Sequence, residues 1–397
     1  MEAFFFIVLR IVLYTLSCNM KLLNICLLLL LPVLVSAQKA KKSTRNLIVG
    51  TYTEPGKSEG LYVYEFNSRT GDLTFKSKAP GIDNPSYLVI SNNQKNVYAV
   101  NETGREKPGG VSAFAFDAKA GNLKFLNKVG SMGDDPCYIS IDKRDKNVFA
   151  GTYSGGNLSA FKIQSDGSLS TAAQVIQHEG SSANKSRQEK PHVHCTAVSP
   201  DHKFLFAVDL GTDKINSYRI QPGNFPNILT EHQPAFTKVA PGSGPRHITF
   251  HPNGKIAYVV FELTGEVAVF DYRKGTLSHL QTATMLPSDY NGAIGAADIH
   301  ISADGKFLYA SNRGDANEIV IYSVAENGLL TYAGRQSTLG KAPRNFVIDP
   351  SGKFLLVANQ RSDEIVVFSR NADTGLLKDT GKRINVGQPV CLKFAKL

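Results

Sequence analysis

Cysteine is scarce in this sequence. Only five of the 397 residues are cysteines, and three of these lie beyond residue 37: Cys137, Cys195 and Cys391. None of the three belongs to a C-x-x-C pair, and all three fall in predicted strands. This usage excludes a disulfide-rich scaffold and a structural zinc site, so we expect three buried free thiols.

Sequence motifs with a well-defined chemistry are missing as well. The chain has no G-x-S-x-G nucleophile elbow, no P-loop, and no dinucleotide-binding G-x-G-x-x-G after a predicted strand. The formal net charge is +10, but the basic residues are spread along the chain and form no stripe. This distribution argues against a nucleic-acid partner. The net basic charge favours anionic ligands, with simple solubility as the alternative explanation.

The N-terminal segment differs in character from the remainder of the chain. From Met20 onward, a lysine is followed by an apolar run over residues 26–35 and by a small-residue site, Val35-Ser36-Ala37. These three features predict a secretory signal peptide over residues 1–37.

A membrane anchor is the alternative for this segment, because residues 4–16 form a second apolar run. Polar residues nevertheless interrupt any single long span: Arg10, Asn19, Lys21 and Asn24. We therefore favour cleavage, with Met20 as an alternative start site. The mature chain would then begin near Gln38 with a short linker over residues 38–44. It would be exported to the periplasm or the medium and have no stable association with the membrane.

Seven copies of one strand pattern make up the rest of the chain. Short runs of β-branched and aromatic residues, separated by glycine, asparagine and aspartate turn signals, recur about every fifty residues. The seven runs begin at Leu47, Val97, Val148, Leu205, Ala257, Leu308 and Leu355. An alternating strand follows each run, and a further strand starts at Leu73, Leu123, Leu169, Leu229, Leu277, Leu330 and Leu377. Full-length inner strands, several introduced by proline, precede copies two to seven.

The first copy has no inner strand before it. The missing strand stands at the other end of the chain, over residues 388–394. Pairing this C-terminal strand with the N-terminal copy closes a ring within one blade and protects the strand edges. The sequence therefore predicts an all-β, seven-bladed β-propeller of four-stranded antiparallel blades over residues 45–397. Two tandem β-sandwiches would not explain both the sevenfold repeat and the displaced strand.

Polar residues cluster at one predicted mouth of the propeller's central channel. The loops that lead into the inner strands crowd this mouth, so residues at the strand starts and just past the second strands should meet there. In the second half of the chain, the charged members of these two rings are His194, Arg246, Glu262, Asp298, Arg313 and Arg344. Arginine forks beside a histidine and carboxylates suit an anionic substrate and acid–base chemistry. Mutual pairing as inter-blade salt bridges is an equally open interpretation.

The longest connection, in the third copy, supports the functional interpretation. It ends in the basic, histidine-rich sequence Arg187-Gln-Glu-Lys-Pro-His-Val-His194, which would suit a phosphate or a carboxylate. His192 and His194, joined by His247 or His300, form an alternative metal set. The pattern lacks the carboxylates of a calcium site and the tight ligand spacing of a zinc site, so we predict no metal and no other cofactor.

At these residues the chain resembles the propeller lactonase family, whose members include bacterial 6-phosphogluconolactonases and fungal carboxymuconate cycloisomerases. The resemblance runs through residues 45–397. The matching stretches are Arg187-Gln…Pro191-His-Val-His194, Ser199-Pro-Asp…Val208-Asp-Leu-Gly-Thr-Asp213, Gly244-Pro-Arg-His-Ile…His251-Pro-Asn-Gly254, Tyr258…Phe261-Glu-Leu263, Asp298-Ile-His-Ile…Tyr309-Ala-Ser-Asn-Arg-Gly314 and Pro343-Arg-Asn-Phe…Ala358-Asn-Gln360. Other propeller families would share the strands but not this set of polar residues.

The resemblance implies both a site and an activity. The family's proposed site is a histidine, an arginine and a glutamate at the channel mouth, which fall here on His194, Arg246 and Glu262, with Arg313 or Arg344 as a fourth member. It also implies no metal dependence. We therefore predict a metal-independent lactone hydrolase in which Glu262 or His194 activates water and Arg246 stabilises the oxyanion. The expected substrate-binding residues are Arg313, Arg344, His192, Arg187, His247 and Asp298.

The predicted substrate is a small anionic sugar lactone, with 6-phosphogluconolactone as the first candidate. The predicted signal peptide argues against that particular compound, because it is made inside the cell. Two alternatives stay open: a carboxymuconate-type cycloisomerase, which needs the same residue types, and a non-catalytic exported propeller that binds a sugar acid. We expect the protein to be a monomer.

Overall fold

The computed structural model describes Arg10, residues 43–221 and residues 223–396. Apart from Arg10, the predicted signal peptide lies outside the described residues, as does nearly all of the predicted linker. Within the described ranges, 28 strands form seven four-stranded antiparallel sheets, one for each predicted repeat. The expected seven-bladed β-propeller is confirmed.

Each blade consists of an inner, a second, a third and an outer strand. Blade 1 contains β28 (Pro389–Phe394), β1 (Thr44–Thr51), β2 (Gly60–Asn67) and β3 (Leu73–Pro80); blade 2 contains β4 (Leu88–Ile90), β5 (Asn96–Asn101), β6 (Gly110–Asp117) and β7 (Asn122–Gly130). Blade 3 contains β8 (Pro136–Ile141), β9 (Asn147–Thr152), β10 (Asn157–Ile163) and β11 (Leu169–Gln177); blade 4 contains β12 (Val193–Val198), β13 (Phe204–Asp209), β14 (Lys214–Ile220) and β15 (Leu229–Lys238).

The remaining three blades follow the same order. Blade 5 contains β16 (Pro245–Phe250), β17 (Ile256–Phe261), β18 (Glu266–Arg273) and β19 (Thr276–Thr284); blade 6 contains β20 (Ala296–Ile301), β21 (Phe307–Asn312), β22 (Glu318–Val324) and β23 (Leu330–Ser337). Blade 7 contains β24 (Pro343–Ile348), β25 (Phe354–Asn359), β26 (Glu364–Arg370) and β27 (Leu377–Asn385), with a short 3₁₀ turn over Gln360–Ser362.

The ring closes in blade 1, as the displaced strand predicts. The C-terminal strand β28 pairs antiparallel with β1, so that Phe394 lies opposite Leu47 and Leu392 opposite Val49. This pairing gives β1 a neighbour on each side, since β2 occupies its other edge. The first and last parts of the folded chain therefore share one sheet.

One inner strand is shorter than the sequence predicts. In blade 2, β4 spans only three residues, so the expectation of a full-length inner strand is wrong there. The chain turns tightly before the strand, where the N–H of Ser86 donates to the carbonyl of Asn84 at 2.7 Å. One bond, from the N–H of Val100 to the carbonyl of Tyr87 at 3.0 Å, continues the pairing beyond β4.

The core lies between neighbouring blades. Second strands such as β13 are buried along their whole length, whereas outer strands such as β15 alternate with solvent. Continuous apolar runs are what a strand buried on both faces requires. Three buried tyrosines also tie adjacent blades together through their hydroxyl groups: Tyr98 to the carbonyl of Gly167, Tyr258 to that of Gly328 and Tyr309 to that of Gly375. These contacts fix the ring on which the channel mouth is built.

Candidate functional site

Seven loops present one residue each to the same mouth of the channel. In every blade, the first residue after the second strand donates its backbone N–H to the carbonyl of a residue just before the inner strand, at 2.8 Å for Glu262 and 3.1 Å for Tyr52. This repeated bond fixes a ring of residues: Tyr52, Glu102, Tyr153, Leu210, Glu262, Arg313 and Gln360. The ring that the repeat register predicts is therefore formed by a common backbone geometry.

Glu262 is the centre of a cluster of ion pairs. Its Oε1 accepts a hydrogen bond from Arg187 Nη2 at 2.6 Å, and its Oε2 accepts one from Arg246 Nε at 2.8 Å. Arg313 Nη2 lies 2.9 Å from the same Oε2. Mutual pairing, one of the two interpretations that the sequence left open, therefore describes Glu262 in this structure. The pairing also brings three guanidinium groups to one point: Arg246 from strand β16, and Arg187 and Arg313 from two loops.

These charges determine the ionisation of the cluster. Burial alone would raise the pKa of Glu262, but Arg313 and Arg246 hold it well below its usual value. Burial lowers the pKa of Arg313 to about 10; Glu262 opposes this shift, while Arg246 and Arg344 reinforce it. Glu262 is thus a carboxylate with both oxygens engaged. It aligns the cations and is a poor proton acceptor while they stay in place.

Arg246 is the most deeply buried cation of the cluster, with 1% of its surface exposed. Its Nη1 donates to the carbonyl of Ala297 and lies 3.0 Å from His247 Nε2. Its Nη2 makes no hydrogen bond to any residue that the structure describes. The side chain is therefore held rigidly from three directions while one nitrogen is left for a ligand.

His247 and Asp298 support Arg246: His247 contacts the guanidinium, and Asp298 in turn contacts His247. His247 Nδ1 lies 2.8 Å from Asp298 Oδ1, and Asp298 Oδ2 accepts hydrogen bonds from His300 Nε2 at 2.9 Å and from the side-chain amide of Asn345. Burial, followed by the charge of Arg246, lowers the pKa of His247 to about 3, although Asp298 opposes the shift. A neutral His247 can donate to Asp298 and accept from Arg246 at the same time.

His194 lies beside this group. Its ring is 5.5 Å from that of His247 and 5.5 Å from that of Tyr153, in edge-to-face contacts. Its Nδ1 is 3.7 Å from Cys137 Sγ. Burial, and then the charge of Arg246, lower the pKa of His194 well below its usual value. The imidazole is therefore neutral and can form a hydrogen bond with a ligand without adding charge.

Arg344 belongs to a second, looser group of side chains. Its guanidinium lies over the ring of Tyr52, 5.3 Å from the centroid, and its Nη2 is 3.6 Å from Glu102 Oε2. The Tyr52 hydroxyl donates to Glu102 Oε1 at 2.8 Å. Among the described residues, the guanidinium of Arg344 has no hydrogen-bond partner, in contrast to that of Arg313.

The loop before β12 contributes Arg187 to the cluster but turns His192 away from it. Arg187 is 41% exposed at its side chain and also donates to the Tyr153 hydroxyl at 3.1 Å. His192 stacks on Tyr153 with ring centroids 4.3 Å apart, donates from Nδ1 to the Tyr153 carbonyl at 2.8 Å, and places Nε2 3.4 Å from Glu189. In this arrangement His192 supports Tyr153 rather than facing the cluster.

Three residues at the mouth are absent from the predicted site: Tyr52, Glu102 and Tyr153. They occupy the same repeat position as Glu262 and Arg313, so the register of the repeat contained the signal. The prediction favoured the second half of the chain, where the arginines stand, and so passed over the tyrosines and the second glutamate. Their contacts with Arg344 and Arg187 show that they belong to the same mouth.

The mouth is suited to a small anion. Four guanidinium groups, of Arg187, Arg246, Arg313 and Arg344, outnumber the three carboxylates of Glu102, Glu262 and Asp298, and arginine forks match the geometry of carboxylate and phosphate oxygens. In residues 43–221 and 223–396, no three His, Cys, Asp or Glu side chains are arranged to hold a metal ion. No helix in the described part of the chain is long and apolar enough to cross a bilayer.

Comparison with known proteins agrees with this description. The family model for the seven-bladed β-propeller lactonases matches residues 46–394. A 6-phosphogluconolactonase of Bacillus subtilis is 36% identical over 349 residues, which cover 87% of this chain and 97% of that protein. Another 6-phosphogluconolactonase, from Formosa agariphila, is 39% identical and covers 77% of this chain and 86% of its own.

Solved structures give the same result. The periplasmic gluconolactonase of Pseudomonas aeruginosa superimposes with a TM-score of 0.86 at 38% identity, covering 89% of this chain and 99% of that one. A structure from Bacteroides fragilis has a TM-score of 0.85 at 45% identity, covering 90% and 99%. The repeat, the closed ring, the polar set at the mouth and these matches lead to one conclusion: the chain belongs to the seven-bladed β-propeller lactonase family.

Proposed function

We propose that this protein hydrolyses a small anionic sugar lactone at the mouth formed by Glu262 and its arginines. The observation that carries the proposal is the excess of guanidinium groups over carboxylates at this mouth. 6-Phosphogluconolactone is the first candidate substrate, because two relatives that match most of this chain bear the name 6-phosphogluconolactonase. A gluconolactone is the second, given the Pseudomonas aeruginosa relative.

The proposed roles follow from the contacts. Arg246 offers its free Nη2 to the lactone carbonyl and stabilises the oxyanion that forms when water adds. Glu262 fixes the direction of that guanidinium, and neutral His194 holds the lactone by a hydrogen bond. Arg313 and Arg344, together with the more exposed Arg187, bind the phosphate or carboxylate of the substrate.

The expected rate enhancement needs only ordinary contributions. Lactones already hydrolyse slowly in water, so the modest lowering of the barrier that follows from placing the carbonyl against a fixed guanidinium is sufficient. No covalent intermediate is required, and the described residues place no activated nucleophile at the mouth. Burial, followed by the charge of Glu102, raises the pKa of the Cys137 thiol well above its usual value, so this thiol is not a nucleophile.

A panel of lactones tests the proposal. Purified residues 38–397 are mixed with phosphorylated, carboxylated and neutral sugar lactones, and acid release is followed with a pH indicator. We expect acceleration of the anionic lactones above the neutral ones, and the same rate after treatment with a chelator. Cyclisation of a muconate in place of hydrolysis would favour the cycloisomerase alternative, and acceleration of no compound would favour the binding module.

We further propose that the chain is exported. The N-terminal sequence carries a signal-peptide pattern, and one relative of known structure is a periplasmic protein. Mass spectrometry of the protein recovered from periplasm and medium should give an N-terminus at or near Gln38. Cytoplasmic protein that retains residues 20–37 would contradict export.

A further inference from the structure

A second glutamate stands across the mouth from Glu262. Glu102 follows β5 in blade 2, and Glu262 follows β17 in blade 5, at the same position of the repeat. The two carboxylates differ in their surroundings. Glu262 has arginines within 2.9 Å on both oxygens, whereas the Glu102 carboxylate accepts one hydrogen bond from the described residues, from the Tyr52 hydroxyl to Oε1.

The other oxygen of Glu102 is unsatisfied. Its Oε2 is buried and has no hydrogen-bond partner among the described residues. The nearest cation, Arg344 Nη2, stands 3.6 Å away, which is too far for a hydrogen bond. A buried carboxylate oxygen without a partner is unfavourable, and such atoms call for an explanation, which is often functional.

Arg344 covers this oxygen and is itself held loosely. The guanidinium has no hydrogen bond to a described residue and rests on the ring of Tyr52. An anionic group that enters the mouth would bind these free N–H donors more strongly than Glu102 does at its present distance. Because Arg344 would move toward the anion, Oε2 of Glu102 would lose its cover.

We propose that Glu102 is the proton acceptor of this site and that the substrate's anionic group uncovers it by binding Arg344. The proposal rests on lactone hydrolysis at this mouth and adds a residue and a reason for anionic specificity to it. Neutral lactones would bind without releasing Arg344, so the energy of binding the anionic group would be used for the chemical step.

Glu102 can accept and return the one proton that must be transferred during hydrolysis. Glu102 Oε2 takes a proton from water as the water oxygen bonds to the lactone carbonyl carbon. The tetrahedral intermediate then collapses, the bond from the carbonyl carbon to the ring oxygen breaks, and Glu102 returns the proton to that oxygen. The acid product ionises and releases one proton to solution, which is the proton that the pH indicator records.

The other two candidates for this role are less suited to it. Glu262 has no free oxygen while its three arginines are in place, and those arginines hold its pKa well below the usual value. His194 is neutral, but burial and the charge of Arg246 lower its pKa well below the usual value, and its Nδ1 faces the Cys137 thiol. Neither group can readily take a proton from water in this arrangement.

The first test compares Glu102→Gln with Glu318→Gln. The control residue begins the third strand of blade 6 and pairs with Arg335 on the outer strand through 3.1 and 3.2 Å contacts. Among the described residues, neither of the two forms an ion pair with Arg344 or with the cluster around Glu262. With 6-phosphogluconolactone, Glu102→Gln should lower kcat by about 100-fold or more, as loss of a general base does, while KM changes little. Glu318→Gln should keep the wild-type kcat. Unchanged kcat in Glu102→Gln would overturn the assignment, whereas an inactive wild-type protein would overturn the proposed function itself.

A second test starts from the wild-type protein. The wild-type protein is given neutral glucono-δ-lactone with and without phosphite dianion, which can occupy the anion site on its own. We expect phosphite to raise kcat for the neutral lactone, and to fail to do so in Glu102→Gln if that variant folds. No stimulation of the wild-type protein would overturn the uncovering step.

Discussion

A chain that ends at Gly387 should not form a stable propeller. The truncation removes β28, whose residues Val390, Cys391 and Leu392 are at most 1% exposed, and leaves β1 as an open edge at the ring closure. Burial of a large apolar side chain contributes about 1.5 to 3 kcal/mol. The loss of three such side chains therefore approaches the total stability of a domain, which is about 5 to 15 kcal/mol. We expect insoluble protein, or soluble protein without a cooperative thermal transition.

Two control chains distinguish the loss of ring closure from the effect of shortening the chain. A chain that ends at Ala395 keeps β28 and should melt like the full-length protein. A permuted chain, in which residues 386–395 are joined ahead of Thr44 by a short turn, should recover the fold, because Phe394 lies opposite Leu47 in the sheet. Wild-type melting of the chain that ends at Gly387 would show that blade 1 does not depend on β28.

The architecture could be predicted from the sequence because the fold consists of repeats that each carry local sequence signals. Turn residues and alternating runs are local signals, and the displaced strand at residues 388–394 revealed the closure without any knowledge of distances. The shortened β4 was not predictable, since it depends on a tight turn between Asn84 and Ser86. Nothing in the proline-led pattern distinguishes this blade from its neighbours.

Only part of the site could be predicted from the sequence. Repeat register placed Arg246, Glu262 and Arg313 at one mouth, but it could not say which arginine contacts which carboxylate. Those contacts depend on side-chain conformations and on a long loop that carries Arg187 to a residue 75 positions away. The same repeat register also placed Glu102 at the mouth. That one of its oxygens is unpaired depends on the packing around Arg344 and cannot be predicted from residue type.

Arg246→Lys should cause a large loss of activity. Lysine keeps the positive charge, but a single ammonium group cannot contact Glu262 and the Ala297 carbonyl and still present a fixed donor to a ligand. Removing one oxyanion donor typically costs about 100-fold or more in rate. We therefore expect kcat on an anionic lactone to fall by about that factor, while the protein still unfolds in one cooperative transition.

Arg335→Lys is the matched control for this change. It alters another arginine that contacts a glutamate, Glu318, at the outer edge of blade 6, where no channel residue is involved. The kcat of Arg335→Lys should equal that of the wild-type protein.

Glu262→Gln should lower kcat about as much as Arg246→Lys does, because the three guanidinium groups lose the carboxylate that aligns them.

The most direct measurement is the initial rate of acid release from 6-phosphogluconolactone by wild-type protein and by Arg246→Lys at equal concentrations of folded protein. Hydrolysis at the channel mouth predicts clear acceleration by the wild-type protein and a loss of about 100-fold or more in the variant. Equal rates for the two folded proteins would contradict hydrolysis at the channel mouth, because they would place any activity away from the cluster around Glu262.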